Sequence, residues 1–521
     1  MKLPAFTSLT VACAALTCQP ARADVTVPSL ISDHMLLQQE SKANVWGKAD
    51  PGEEITVKLG EVSVPAKADD KGRWSARLTG IKPGVIGDMT IKGKNTITIK
   101  DVAVGEVWVC SGQSNMEWSV AASQNPEKEI PAADFPQIRL FTVAKNPQFA
   151  PTEECKGQWE VCSPKTVAGF SAVGYFFGRE LHAKLKVPIG LIHTSWGGTP
   201  AEFWTPREVL EADPALKKAY LDKWDEVKAA YPAAKAAYDE KINAWKGAVE
   251  QAKTDSKPLP PKPQEPRGGA PFGSPACLWN GMIVPVLPYT IQGAIWYQGE
   301  SNASHAALYR TLFPTMITSW RRAWAEDGLA QSDNPEFPFL FVQLANFMAR
   351  RDQPSESQWA ELREAQTMTL ELPRTGMAVA IDIGDAKDIH PRNKQEVGRR
   401  LALSAQAMVY YIDTEYSGPI YGGSQIEDGR IRLNFRNAAG MKAADGGNIK
   451  GFAIAGEDKK FVWADVAIDG DHVLVSSPDV PKPVAVRYGW ADNPDVNLVN
   501  AAGLPASPFR TDLPGAPAEK K

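Results

Sequence analysis

Short β-prone runs separated by turn residues make up the first part of the chain. Over residues 24–104 the turns are marked by clusters such as Asp50-Pro51-Gly52. Many short strands at this spacing are typical of a small β-sandwich, which we predict for these residues. The predicted strands are 43–47, 54–59, 74–78 and 96–99.

The pattern changes near Gly105. From there on, runs that are apolar at almost every position alternate with helical stretches. Continuous apolar strands alternating with helices indicate a parallel sheet in an α/β domain, which we assign to residues 105–412. The predicted strands are 106–110, 138–143, 189–194, 292–297, 339–344 and 377–383, and the predicted helices include 173–185, 306–325 and 394–408.

Two further segments break this alternation. An insertion at 207–265 opens with residues rich in Ala, Lys and Glu, which favours a helical hairpin broken near Tyr231-Pro232. The insertion ends in a Pro-rich stretch that predicts an extended connection. From 413 to 521 short β-prone runs again lie between Gly, Asp and Pro turns, so we predict a C-terminal β-rich domain there.

The first 23 residues have the pattern of an export signal. Lys2 is followed by an apolar stretch over 6–16, and Ala21-Arg22-Ala23 offers a site with small residues for cleavage after Ala23. We therefore expect a secreted or periplasmic protein. Lipid attachment at Cys18 is the alternative, but the residues before it fit a lipid-attachment signal poorly.

Charge and composition exclude some partners. The net charge of −4 at pH 7 argues against nucleic acid as the main partner, because a nucleic-acid binder needs a basic face. No segment after the signal is long and apolar enough to predict a membrane span. The sixteen Trp residues suit contacts with sugar rings, although burial in the core is favoured for any single one. Nothing in the sequence indicates an oligomeric state.

Four cysteines remain after the predicted cleavage: Cys110, Cys155, Cys162 and Cys277. Cys155 and Cys162 flank a short run, and a disulfide between them is as favoured as two reduced buried thiols. The spacings Cys-x-x-Cys and His-Glu-x-x-His are absent from the sequence, so we predict no metal site.

Polar clusters directly follow four of the predicted strands. Ser114 lies in 112–116, a Gly-Gly pair lies in 194–204, Gln298 and Glu300 lie in 296–302, and His390 lies in 382–391. Active sites of open α/β sheets lie outside the carboxyl ends of the strands. Ser114 alone would fit a helix cap equally well. Together the four clusters supply a nucleophile, backbone and amide donors, and a base flanked by carboxylates.

These blocks resemble the SGNH hydrolases, and specifically the sialate O-acetylesterase family with its bacterial carbohydrate-acetylesterase relatives. The resemblance runs over nearly the whole chain after the signal. The matching blocks are 112–116, 195–199, 296–302, 388–394, 487–490 and 506–512. The resemblance implies a flavodoxin-like, three-layer α/β fold around a parallel sheet, flanked by the two β-rich parts.

The resemblance implies a serine esterase that needs no metal or organic cofactor. Ser114 would be the nucleophile and His390 the base. Asp388 would orient His390, with Asp385 as the alternative, because the superfamily's acid lies three residues before its histidine and Lys387 occupies that position here. Glu300 is a more distant possibility.

The same resemblance implies the oxyanion donors. These would be the backbone N–H groups of Ser114 and Gly198 and the side-chain amide of Gln298, which replaces the superfamily's asparagine. The expected substrate-binding residues are Gln113, Asn115, Glu300, Asn302 and Arg487. For Arg487 an ion pair at the surface or between domains is the alternative to a contact with a substrate carboxylate.

The implied activity is removal of acetyl esters from sugars. The resemblance favours 9-O-acetyl groups of sialic acid, and acetylxylan or another hemicellulose is the alternative substrate. A non-catalytic sugar-binding protein is the alternative from another class, since two β-rich parts and many Trp residues would also suit it.

Overall fold

A computed structural model describes residues 24–326 and 334–512. The predicted export signal over 1–23 lies outside the described residues. Within them, the β-strands and helices follow the predicted order: a β-rich N-terminal module, a central α/β domain and a C-terminal β-rich part.

The N-terminal module has two layers that enclose buried apolar side chains, among them Val45, Val57, Trp74 and Ile91. In one layer β3 pairs with β4 and β6, and β6 pairs with β7, while β2 and β5 form a separate antiparallel pair. The strands are β1, Leu36–Gln38; β2, Ala43–Lys48; β3, Glu54–Leu59; β4, Val62–Lys67; β5, Arg73–Leu78; β6, Gly84–Lys92; and β7, Thr96–Gly112.

Strand β7 joins this module to the central domain. Its first half pairs with β6, and from Glu106 onward it lies between two parallel strands of the central sheet. The change of partner falls at Gly105, where a Cβ would lie 2.0 Å from the carbonyl oxygen of Pro188. Gly105 thus permits a close backbone approach, and the predicted boundary at 104 falls inside one continuous strand.

The central sheet has the order β13-β12-β11-β7-β10-β8-β9, in which the first six strands are parallel and β9 is an antiparallel edge. Its core strands are buried at every position, as expected of a sheet covered on both faces. The strands after β7 are β8, Phe135–Thr142; β9, Trp159–Cys162; β10, Ile189–His193; β11, Gly293–Tyr297; β12, Phe339–Gln343; and β13, Thr375–Val379.

Helices cover both faces of this sheet. One apolar cluster joins one face to α3 and α9, through side chains such as Phe176 and Leu401. Another cluster joins the opposite face to α7 and α8, through Trp320 and Leu362. The helices are α1, Ser114–Glu117; α2, Pro126–Glu129; α3, Ala172–Leu185; α4, Arg207–Ala212; α5, Pro214–Leu216; α6, Lys223–Thr254; α7, Ala306–Glu326; α8, Gln358–Met368; and α9, Lys394–Met408. The predicted three-layer α/β fold is confirmed.

Short 3₁₀ and π-helical turns lie between these elements. The 3₁₀ turns are Val120–Ala122, Val167–Gly169, Ala201–Phe203, Val284–Val286, Glu300–His305 and Thr369–Glu371, and the π turns are Lys217–Asp222 and Trp279–Ile283. None of the helices in 24–326 and 334–512 is long and apolar enough to cross a membrane.

The predicted helical hairpin of the insertion is wrong. Helix α6 runs unbroken for 32 residues and carries Pro232 in its interior. Proline removes one backbone donor, and the Ala-rich turns on both sides supply enough helix propensity to continue past it. The Pro-rich connection after α6, predicted to be extended, forms neither helix nor strand over 257–266.

The disulfide alternative is also wrong. Cys155 and Cys162 are free, buried thiols, as are Cys110 and Cys277. Cys162 ends the edge strand β9, whereas Cys155 lies in the preceding loop with its Sγ 3.9 Å from the Ser29 hydroxyl. The two side chains therefore pack in separate environments.

The C-terminal part consists of small antiparallel sheets around a core that includes Leu433, Phe452 and Phe509. Their strand orders are β14-β15-β20-β19, β18-β17-β21-β23 and β16-β22. The strands are β14, Ile420–Glu427; β15, Arg430–Arg436; β16, Lys442–Ala443; β17, Phe452–Ala455; β18, Val462–Trp463; β19, Asp465–Asp469; β20, His472–Ser476; β21, Ala485–Tyr488; β22, Leu498–Val499; and β23, Phe509–Arg510.

Candidate active site

The four polar clusters predicted from the sequence follow β7, β10, β11 and β13. In the sheet β7 lies between β10 and β11, and all three strands run in the same direction. Their carboxyl ends therefore meet at one edge, and the loop after β13 brings His390 to the same place.

Ser114, His390 and Asp388 form a continuous hydrogen-bonded chain. Ser114 Oγ lies 2.9 Å from His390 Nε2, and His390 Nδ1 lies 3.2 Å from Asp388 Oδ1. The backbone N–H of His390 also donates to Asp388 Oδ1, at 2.9 Å. On its face the imidazole stacks on Trp118, with centroids 4.7 Å apart and an interplanar angle of 15°.

The two candidate acids differ clearly in their contacts. Asp385 Oδ1 accepts the backbone N–H of Lys387 at 2.7 Å, which closes a local turn. Asp388 contacts the His390 ring and its backbone, although half of the Asp388 side chain is exposed. The geometry therefore makes Asp388 the partner of His390.

His390 is set to act as a base. Burial lowers the pKa of its imidazole, and the nearby Lys394 ammonium lowers it further, while Asp388 raises it in part. The net direction is downward, so the imidazole stays neutral to a pH below its ordinary 6.5. A neutral Nε2 can accept the Ser114 proton.

The turn that carries Ser114 is held against β11. Gly112 has φ +139, and a Cβ at this position would lie 2.2 Å from the carbonyl oxygen of Tyr297. The N–H of Gln113 donates to that same oxygen at 2.9 Å. The glycine thus permits the close contact that ends β7 and turns Ser114 toward His390.

A second turn lies beside Ser114. A Cβ on Gly197 would lie 3.2 Å from Ser114 Cβ, and the Gly197 N–H is already bound to Glu117 Oε2 at 2.5 Å. The next residue, Gly198, has φ +71, and its N–H donates no hydrogen bond within the part of the chain that the structure describes. The predicted Gly198 donor is therefore free to bind a ligand.

The assignment of Gln298 to the oxyanion site is wrong. Its side chain is completely buried, and its amide nitrogen donates to Asn302 Oδ1 at 2.6 Å and toward the Thr199 carbonyl at 3.4 Å. Its oxygen accepts from the Tyr309 hydroxyl at 3.0 Å. Because the neighbouring loops use both ends of this amide, it offers no donor to a ligand.

Four of the predicted substrate-binding residues are instead part of the buried support of the site. Gln113 Oε1 accepts the N–H groups of Gly299 and Ser301. Asn302 Oδ1 accepts the Ala201 N–H, and Asn115 Nδ2 donates to Glu300 Oε1 at 2.5 Å. These side chains satisfy buried groups of adjacent loops, as buried polar groups must.

Arg487 does not join this cluster. Its guanidinium donates to Asp512 Oδ1 and Oδ2 at 3.0 and 2.7 Å and to Glu356 Oε1 at 2.8 Å. It also stacks over Phe461. Two carboxylates thus neutralise this arginine. The predicted contact with the substrate is wrong, and the alternative, an interdomain ion pair, fits the observed contacts.

Two further residues of the site, Lys394 and Trp118, were not predicted from the sequence. Lys394 is fully buried, and its Nζ donates to Asn115 Oδ1 at 2.5 Å. Its place in the matching block 388–394, four residues after His390, was the available signal. Trp118 follows Ser114 by one helical turn, a spacing that fits a core tryptophan equally well.

Asp388→Asn is expected to lower kcat about 100-fold, because the amide no longer stabilises the imidazolium that forms during catalysis. Half-exposure of Asp388 makes this loss smaller than for a buried acid. Asp385→Asn is the matched control and should retain kcat, since its oxygen can still accept the Lys387 N–H. Steady-state kinetics on a chromogenic acetate ester measures both, and the opposite ranking would show that Asp385 is the acid.

A parallel α/β sheet with a Ser-His-Asp chain and a free backbone N–H at its carboxyl edge defines a serine hydrolase of ester or amide bonds. Comparison with known proteins narrows this class. Residues 104–251 and 282–407 match the family model described as carbohydrate esterase, sialic acid-specific acetylesterase. The chain belongs to this family.

Relatives match over almost the whole length. The mouse (Mus musculus) sialate O-acetylesterase is 31% identical, with 92% of this chain and 93% of the mouse protein covered. The human (Homo sapiens) sialate O-acetylesterase is 30% identical, with 92% and 91% covered. A solved carbohydrate acetylesterase from Xanthomonas citri is 36% identical with a TM-score of 0.78, covering 94% of this chain and 100% of that one.

These matches confirm the predicted carbohydrate O-acetylesterase class and the carboxylic ester hydrolase activity that defines it. The alternative of a non-catalytic sugar-binding protein is therefore set aside.

Proposed function

We propose that the protein removes acetyl groups from O-acetylated sugars through an acetyl-enzyme formed on Ser114. The observation that carries this proposal is the 2.9 Å contact between Ser114 Oγ and His390 Nε2 at the carboxyl edge of the sheet. That distance lies within the range in which a base can take the proton of its nucleophile.

The reaction proceeds in two halves. Ser114 Oγ attacks the acetyl carbonyl and gives its proton to His390 Nε2. The carbon–oxygen bond to the sugar then breaks, and the leaving sugar oxygen takes the proton from His390. A water molecule next attacks the acetyl-enzyme, with His390 again accepting and returning a proton, so that acetate leaves and Ser114 is restored.

Two backbone N–H groups are proposed to bind the oxyanion, those of Ser114 and Gly198. The Ser114 N–H belongs to the first turn of α1, where the helix itself provides no acceptor. The Gly198 N–H is free within the described residues. Each such donor typically lowers the barrier by about 2.7–4 kcal/mol.

The substrate proposed first is an O-acetylated sialic acid, with the 9-O-acetyl group as the reacting ester. The support is the match of 104–251 and 282–407 to the family model, and the likeness to relatives named sialate O-acetylesterase over 92% of the chain. With Arg487 neutralised, a sialate carboxylate would need another cation. Lys145 is an exposed cation near the Ser114 turn, with its Nζ 5.0 Å from the Trp196 ring centroid, but it is paired with Glu117 Oε1 at 2.5 Å. A sialate carboxylate would therefore have to compete with Glu117 for this ammonium group.

An acetylated neutral polysaccharide is the second candidate, and an aromatic pair near Ser114 favours it. Trp196 precedes Gly197 and stacks on Phe272, with centroids 4.6 Å apart at 26°. Phe272 remains 42% exposed and lies in the connection between the two matched stretches of the family model. An exposed aromatic face beside an esterase site can hold a sugar ring of a polymer.

Acetate release from 9-O-acetylated sialic acid and from acetylated xylan, measured side by side, distinguishes the candidates. If the polymer is the substrate, Phe272→Ala should lower kcat/KM for acetylated xylan about 10-fold and leave hydrolysis of a small chromogenic acetate unchanged. Tyr411→Ala removes an even more exposed aromatic ring and is the matched control. Release from sialic acid alone, with no effect of Phe272→Ala, would favour the first candidate.

A further inference from the structure

A charged lysine side chain is energetically unfavourable at position 394. It is fully buried at the first position of α9, where the helix dipole is unfavourable for a cation. Burial lowers the pKa of its ammonium to about 7, although Glu300 and Asp388 act in the opposite direction. A buried cation that is this poorly compensated is more readily explained by function than by stability.

The partner of this ammonium group is the side chain next to the nucleophile. Lys394 Nζ donates to Asn115 Oδ1 at 2.5 Å. On its other end Asn115 Nδ2 donates to Glu300 Oε1 at 2.5 Å and to the carbonyl oxygen of Ile389 at 3.1 Å. One amide therefore links the Ser114 turn, the loop after β11 and the residue that precedes His390.

Lys394 and the two acceptors on the opposite side together fix the orientation of this amide. An ammonium group has only donors, so the face of Asn115 toward Lys394 must be the oxygen. The NH₂ group is then directed at Glu300 and at the Ile389 carbonyl, both of which are acceptors. Without the ammonium, the Asn115 oxygen would lose its donor, and only the contacts of Nδ2 with Glu300 and the Ile389 carbonyl would hold the amide. The amide would then be held from one side, and the contact with the Ile389 carbonyl would weaken.

Aromatic rings beside Lys394 provide a second connection between Lys394 and His390. Its Nζ lies 5.2 Å from the centroid of Tyr297 and 6.0 Å from that of Trp118. Trp118 stacks on the imidazole of His390. The cation thus supports the loop that carries His390 through the Asn115 amide and through the face of the Trp118 ring.

We propose that Lys394 is a positioning residue that holds His390 against Ser114 by fixing the Asn115 amide, an inference that rests on the proposed function. The charged groups that face His390 are Asp388 and Lys394, and Glu300 faces Lys394. Since the Lys394 charge lowers the pKa of His390, its removal should raise that pKa and move the acidic limb of the kcat/KM profile to higher pH.

Lys394→Met tests this, because Met has a similar length but neither charge nor donor. We expect kcat to fall about 10- to 100-fold with KM changed by less than about threefold, as for a small displacement of a catalytic group. The acidic limb should also move upward. Lys387→Met is the matched control: Lys387 is an exposed lysine in the same loop, and both kcat and the pH profile should be retained.

Lys394→Gln is the second variant, in case the methionine variant does not fold. It keeps an N–H donor without the charge, so kcat should recover in part while the acidic limb stays raised. Wild-type kcat together with an unmoved acidic limb of the kcat/KM profile in either variant would overturn the proposal. A loss of kcat explained by a lowered melting temperature, with the acidic limb unmoved, would overturn it as well. If Ser114→Ala remained active, the proposed function itself would fail, which distinguishes the two failures.

Discussion

Ser114→Ala is expected to lower kcat/KM for a chromogenic acetate ester by about 10⁵-fold, to the level set by binding and the oxyanion donors alone. The physical reason is the loss of Ser114 Oγ. Among the described contacts of His390 Nε2, this is the only oxygen, at 2.9 Å. The fold should be retained, because Ser114 is part of a short first turn and its hydroxyl supports no other element.

Ser111→Ala is the matched control for that variant. Ser111 lies three residues earlier at the end of β7, and its buried hydroxyl has no hydrogen-bond partner within the described residues. We expect wild-type turnover from it. Thermal unfolding of both variants separates a lost nucleophile from a lost fold.

His390→Gln is expected to lower kcat by about 10⁴-fold or more, since neither proton transfer of the reaction then has a base. In the wild type, the midpoint of the acidic limb of kcat/KM should lie below 6.5, the ordinary pKa of histidine, because burial lowers the pKa of His390 and its neutral form is the active one. A pH series on wild type and variant measures both.

His34→Gln is the control for the histidine variant. His34 lies in the N-terminal module, where its Nδ1 is 2.7 Å from Asp101 Oδ2. Like His390 and Asp388, His34 and Asp101 form a histidine–aspartate pair. The loss of His34 therefore tests whether turnover depends on any such pair or on His390 alone. Reduced turnover in His34→Gln without a change in stability would contradict the assignment of the base to His390.

The layers of the fold follow from local pattern. Strands buried on both faces are continuous apolar runs, so β10, β11 and β12 could be located within one or two residues. The continuation of α6 through Pro232 could not be predicted, because whether one missing donor breaks a helix depends on the stability of the turns on both sides.

The site could be predicted in part. That Ser114 and His390 follow strands is a property of the sequence, and the parallel topology then brings strand ends together. Whether a side chain in a turn faces the ligand or the interior depends on packing with distant residues. Gln298 faces Tyr309 and Asn302 for that reason, and the choice between Asp385 and Asp388 depended on which carboxylate closes its own turn.

The most direct test is the identity of the residue that acts as the nucleophile and is phosphonylated by a mechanism-based reagent. Wild-type protein is treated with a serine-directed organophosphonate, and its peptides are mapped by mass spectrometry. We predict one stoichiometric adduct on the peptide that contains Ser114, with activity lost in parallel, and a much slower adduct in His390→Gln. Loss of activity with the adduct on another residue, or full activity with Ser114 modified, would contradict the role of Ser114 as the nucleophile.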